Sequence, residues 1–152
     1  MTNPKFFLLL LTLLLVAVSC NKNKPLYTYG SVKLAGQEVK VDVANNQASR
    51  DLGLAGREQI GEKQGMWFEF STASKYSFWM KGMSFSLDII WIKDGRIVYI
   101  TYNAQPQSGV LDSDLLIFTP IAAVDRVLEV RAGWADRYGL KLGDEVDFSP
   151  SH

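Results

Sequence analysis

Apolar and polar side chains alternate with a period of two in three separate stretches, and that rhythm restricts this chain to a fold built on half-buried strands. In residues 37–44, Val39, Val41 and Val43 alternate with Lys40 and Asp42. In residues 65–70, Met66, Phe68 and Phe70 point one way, and Trp67 and Glu69 the other. In residues 85–93, Phe85, Leu87, Ile89 and Trp91 share a face that reads as core. Ser86, Asp88, Ile90 and Ile92 share the other, so Asp88 falls on a half-apolar face.

Turn residues connect these runs. Asp94-Gly95 calls for a two-residue hairpin, because its turn demands positive φ, and residues 96–102 form the return strand. Ala35-Gly36 makes a second tight hairpin between residues 27–34 and 37–44. Further short strands are expected over residues 77–83, 115–118, 123–131 and 145–148, with Val124, Leu128 and Val130 facing inward in the third. Asn46 can cap a short helix over 46–54, and Gly139 ends another over 133–138. About eight or nine short strands with two short helices predict a mainly β domain, a compact β-sandwich or partly closed barrel. Residues 103–120 form the longest irregular stretch, the kind of loop that often carries function.

The start of the chain carries a different signal. Lys5 precedes an apolar, leucine-rich stretch over residues 6–18, shorter than the roughly 20 residues of a membrane-spanning helix and suited to a secretory leader. Small residues in Ala17-Val18-Ser19 then precede Cys20, the single cysteine, which cannot form an internal disulfide. This arrangement resembles the lipobox of bacterial lipoproteins. It predicts a signal peptide over 1–19, a lipidated Cys20 carrying palmitate-type chains with a tether over 20–26, and one domain over 27–149. The expected location is the cell envelope, periplasmic or outer surface, with the membrane as the partner of the lipid.

Charge and residue inventory narrow the chemistry. Loss of Lys5 with the leader leaves 15 basic against 16 acidic residues, so nothing in the composition suggests an electrostatic footprint for nucleic acid. The single histidine, His152, ends the chain, and Cys20 is committed to lipid. Cys–His and Ser–His–Asp catalysis therefore lack their parts, and no His/Cys metal site or cofactor signature is present. Asp112 and Asp114 lack the glycine and distal glutamate of a calcium loop and read as solvated. Met66, Met80 and Met83 read as core filler.

Several segments in order resemble the DUF192 family, a bacterial and archaeal domain without an assigned function. They are Val43-Ala44, Arg50-Asp51-Leu52-Gly53-Leu54 with Arg57, Gly65-Met66-Trp67-Phe68-Glu69-Phe70, and Phe78-Trp79-Met80-Lys81 with Leu87-Asp88-Ile89. Val127-Leu128-Glu129-Val130, Ala132-Gly133 and Gly143-Asp144 complete the set over about residues 30–148. Gly82-Met83 replaces the family's usual Asn-Thr or Asn-Val, and Trp91 stands where Phe is common. The resemblance implies a compact, mainly β, sandwich-like fold and no particular reaction.

The candidate functional constellation is Arg57, Trp79, Lys81, Asp88 and Glu129. Arg57 offers a planar fork for an anion, and Asp88 with Glu129 could do acid–base work if they met in a pocket. The same residues also read as an ion network fixing a loop to the sheet. The leading expectation is a small-ligand, glycan-binding or protein-interaction module of the envelope using a groove around Trp79, Lys81 and Asp88. One alternative is a carboxylate-dependent envelope enzyme using Asp88 and Glu129; another is a structural accessory of an envelope complex.

Overall fold

The computed structural model describes residues 26–151. The leader over 1–19 and Cys20 lie outside the described residues. Seven strands form one sheet: β1 (Thr28–Leu34), β2 (Gln37–Ala44), β3 (Gln64–Ser74), β4 (Leu87–Lys93), β5 (Arg96–Ala104), β6 (Val124–Arg131) and β7 (Asp147–Pro150). Their order is β5-β4-β6-β3-β2-β1-β7. All neighbours are antiparallel except β2 and β3.

The sheet curls without closing. The segment entering β7 reaches the far edge strand, where Ile97 N–H donates to Asp144 O at 3.0 Å and Val146 N–H to Gly95 O at 2.9 Å. Local chemistry sets the corners. The two hairpins place Ala35 and Gly36 at φ 48 and 71, and Asp94 and Gly95 at φ 50 and 72, the paired positive values of a type I′ turn. Helix α1 (Gln47–Leu52) opens on a capping box: Asn46 Oδ1 accepts from Ser49 N–H at 3.0 Å, and Asn46 N–H donates to Ser49 Oγ at 3.2 Å.

The sheet buries both of its faces. The inner core holds Val32, Val39, Val41, Ile90, Ile92, Leu128 and Val130, and helix α2 (Trp134–Arg137) adds Trp134 and Ala135 to it. The outer core holds Met66, Phe68, Leu87, Ile89, Trp91 and Val127 together with Leu54, Ile60, Met80 and Met83 from the connections. That second layer, made of loops over strands, is what gives the domain its sandwich-like build. All three loop and core methionines are buried, as their reading as filler requires.

Three expectations change. Residues 77–83 and 115–118 are not strands but loops, which meet in a single bridge where Phe78 and Phe118 exchange N–H···O bonds of 2.9 and 2.8 Å. Phe78, Met80, Met83 and Phe118 face down onto the outer core while Trp79, Leu116 and Ile117 are exposed, so no ladder extends, and the sheet has seven strands among the described residues. In β6, Val124 packs in the outer core with Val127, while Leu128 and Val130 face inward; a register shift between Glu69 and Ser74 breaks the alternation there. The last strand begins at Asp147 rather than at 145, because the residues before it turn toward β5.

Gly65 is where β3 and β6 approach too closely for a side chain. A Cβ there would stand 2.5 Å from the carbonyl oxygen of Glu129 and 3.3 Å from Val130 Cγ1. Backbone cannot yield as a flexible side chain can, so Gly65→Ala is expected to lower stability by about 2 kcal/mol in urea unfolding. A loss under about 0.5 kcal/mol would show that the strands part freely.

Candidate functional site

Pairing register decides which candidate residues meet. Asp88 lies opposite Val130, and Ile89 opposite Glu129. Paired residues share a face and successive residues alternate. Asp88 is therefore on the inner face with Val130, and Glu129 on the outer face with Ile89. The expected acid–base pair does not exist, because the sheet stands between its two carboxyls.

Asp88 instead serves the backbone. It is completely buried, and its Oδ1 and Oδ2 accept from Asn103 N–H and Ala135 N–H, each at 2.9 Å. Asn103 has φ 51, in the left-handed region at the end of β5, and Ala135 lies in the first turn of α2. One carboxylate thus ties a strained strand end to a short helix that has no side-chain cap of its own.

Glu129 has the opposite situation. It is 5% exposed and makes no side-chain hydrogen bond among the described residues. Burial without a compensating partner pushes its carboxyl up to about 8, so at neutral pH it is mostly an uncharged acid able to donate. Met66 is its cross-strand neighbour, which adds to the desolvation.

Glu129 lies in the wall of a cavity of about 330 Å³ on the outer face. Residues Arg50 through Ala55, from α1 and the turn after it, form one side. The loop carrying Tyr76, Phe78, Trp79, Met80, Lys81 and Met83 forms the other. Phe68, Phe70 and Leu87 complete the lining. Phe70 stacks on Tyr76 with ring centroids 3.6 Å apart, which holds that side of the loop to β3. Trp79 is 48% exposed and marks the open side. Lys81 Nζ pairs with Asp112 at 2.6 Å in solvent. Arg50 donates to Glu69 O at 3.1 Å and to Gln47 Oε1 at 3.4 Å, with its guanidinium carbon 5.5 Å from the Phe70 ring centroid.

The five candidates therefore divide. Trp79, Lys81 and Glu129 line one cavity; Asp88 and Arg57 do not. Arg57 lines a separate groove with Lys40, Gln59 and Gln64, where it binds Asp42 at 2.5 Å and lies 5.7 Å from the Tyr27 ring centroid. Burial raises the Tyr27 phenol, against the pull of Arg57. The other tryptophans are packing residues: Trp91 is fully buried and donates to Thr101 Oγ1 at 3.0 Å, and Trp67 stacks on Phe148 at 5.1 Å inside the inner core. Arg50, read from the sequence only as an outward helix residue, belongs to the cavity. Its signal was its place on the solvent face of α1, directly before the glycine turn. Among the described residues no group of three or more His, Cys, Asp or Glu is placed to hold a metal ion.

Comparison with known proteins bears on the whole domain. The profile of the DUF192 family, described as an uncharacterized ACR, matches residues 30–148. A crystal structure from Sinorhizobium meliloti 1021, assigned provisionally as a transcription regulator, is similar at 30% identity with a TM-score of 0.73, covering 83% of this chain and 98% of that one. A protein of unknown function from Novosphingobium aromaticivorans DSM 12444 is similar at 28% identity with a TM-score of 0.68, covering 80% and 84%. No curated protein matches the chain.

Proposed function

This chain belongs to the DUF192 family, and on that premise we propose that it is a lipid-anchored module of the cell envelope that binds a small ligand in the cavity between Trp79 and Glu129. The observation that carries the reading is Glu129, a residue only 5% exposed, in the wall of a cavity whose lining mixes apolar side chains such as Leu54, Phe68 and Met80 with polar ones such as Arg50, Ser77 and Lys81. A polar group so placed costs free energy unless something bonds to it. A concave site that combines apolar side chains, several convergent polar groups and one perturbed acid is a common composition for a ligand site.

The envelope location rests on the leader and on Cys20. Labelled palmitate should enter the expressed wild-type protein and not Cys20→Ser; absence of label from both would remove the anchor from this reading. A regulator's role, as assigned to the Sinorhizobium relative, is said of that protein and is not carried over to this chain.

Trp79 provides the test of the binding site. Its half-exposed ring contributes little to the core, so Trp79→Ala is expected to change the melting temperature only slightly while abolishing ligand-induced thermal shifts. Screening should include cell-wall fragments and small aromatic acids. A variant that keeps every shift of the wild type would count against the cavity.

A second reading has its own observation. Leu111, Leu116 and Ile121 are 70%, 60% and 65% exposed on the connection between β5 and β6. Three exposed large apolar side chains on one connection favour contact with another envelope protein. The two readings are compatible, because the connection pairs with the cavity loop at Phe78 and Phe118.

A further inference from the structure

Resting on the reading of Cys20 as a lipid anchor, we propose that the face carrying Leu26, Leu52, Trp79, Leu111 and Ile117 lies against the bilayer, with these side chains seated at the boundary between headgroups and acyl chains.

Local contacts gather the five around the open side of the cavity. Leu52 and Trp79 belong to its lining, one on α1 and one on the loop opposite. Gly56 N–H donates to Gly82 O at 3.0 Å, which joins the turn after α1 to that loop. Ile117 precedes Phe118, whose bridge to Phe78 sets it beside Trp79. Leu111 precedes Asp112, which pairs with Lys81 at 2.6 Å. Leu26 is held to the start of α1, where Asn46 Nδ2 donates to its carbonyl oxygen at 3.3 Å, and the next residue, Tyr27, donates from its hydroxyl to Gly53 O at 2.8 Å. All five are exposed although large and apolar. Single exposed apolar residues are ordinary, whereas a group of them marks a contact with protein or membrane.

The anchor decides between those two. Leu26 follows Cys20 by six residues. A chain of that length spans at most about 22 Å, whatever its conformation. A lipid on Cys20 therefore keeps Leu26 close to the bilayer surface, and a domain so tethered meets that surface at high effective concentration. A protein partner has to arrive by diffusion, whereas the bilayer is always within reach. Since the chain enters alongside α1, the face carried nearest to the lipid is the one that holds Leu52 and Trp79. An indole ring, apolar with one polar edge, suits the membrane boundary.

Charge contributes little. At the cavity Arg50 and Lys81 are matched by Asp51 and Asp112. Apolar insertion rather than attraction to anionic lipid holds the face, so salt and lipid charge have little effect on it.

Nitroxide depth measurements on the lipidated full chain, purified from a bacterial membrane fraction and reconstituted in phosphatidylcholine vesicles, test this. The label is placed at Leu52→Cys, Leu111→Cys or Ile117→Cys, with Leu142→Cys as the control; Cys20, blocked by its lipid, takes none. Leu142 is exposed in the turn where Gly143 N–H donates to Ile97 O, at the opposite end of β4 from Leu87 in the cavity wall, about 20 Å along the strand. The three face labels should lie about 5–10 Å below the headgroup boundary, open to oxygen and shielded from a nickel chelate, while the control stays in water. Added phosphatidylglycerol or high salt should leave those depths unchanged. Two or more face labels in water, in protein whose mass shows the lipid, would overturn the docking and leave the anchor standing. Shielding from oxygen and nickel alike, growing with protein density in the vesicles, would overturn it in favour of a second copy of the chain. A mass without lipid on Cys20 would overturn the anchor and the docking with it.

Discussion

Asp88→Asn is expected to destabilise the domain by about 4 kcal/mol, a loss visible as a large drop in the urea midpoint. The carboxylate of Asp88 accepts two backbone N–H groups from opposite sides, Asn103 and Ala135, and is wholly out of solvent. Asparagine has one acceptor oxygen, so one N–H would face an amide that also donates. A buried donor left unpaired costs about 1–3 kcal/mol, and loss of the charge weakens the surviving bond. Activity-like readouts are not needed to interpret this variant, because Asp88 lies across the sheet from the cavity. A loss below about 1 kcal/mol would mean that α2 and the end of β5 are held by packing alone.

Stability is expected to fall by about 1.4 kcal/mol per pH unit between roughly pH 5 and 8, from Glu129 alone. Its folded value, near 8, exceeds the ordinary 4.5 that applies to the unfolded chain. Below 4.5 both states hold the proton, and the group's contribution is fully present. Between those limits the unfolded chain has released its proton while the folded chain keeps it. Raising the pH therefore favours unfolding, and above about 8 the contribution is gone. The whole span is on the order of 5 kcal/mol. Glu129→Gln cannot titrate, so urea unfolding at pH 5, 6, 7 and 8 should show its slope flattened by that amount. Parallel slopes in wild type and variant would refute the assignment.

Much of the fold was legible because its causes are local. The Val39, Val41, Val43 alternation, the two positive-φ hairpins and the Asn46 cap depend on neighbours within a few residues, and each appears where expected. The strand excess arose at residues 77–83 and 115–118, where Phe78, Met80, Met83 and Phe118 serve a loop layer over the outer core. Local pattern cannot separate a loop packing downward from a strand, since both need buried aromatic residues at short intervals. The same two-sided burial explains β4, in which Ile90 and Ile92 are as buried as Ile89 and Trp91.

The candidate site was only half legible for a related reason. Glu129 stands out as a charge between Leu128 and Val130, and Trp79 and Lys81 were found from their density of aromatic and charged groups. Whether Asp88 joins them depends on the register between β4 and β6, a contact between residues about forty positions apart along the chain. Alternation placed Asp88 on a given side of its own strand and could not say which side Glu129 would take. Arg57 was lost to Asp42 for the same reason, since their pairing crosses from β2 to the turn after α1.

The central physical claim is that this domain keeps one acid uncharged and unbonded beside its cavity. Carboxyl-carbon NMR of Glu129, followed from pH 3 to pH 10 in the free protein, addresses it directly. The account predicts a single titration with its midpoint at about 8. A midpoint near the ordinary 4.5 would contradict it, because Glu129 would then be a hydrated or paired carboxylate and the cavity would have no buried polar group to offer a ligand.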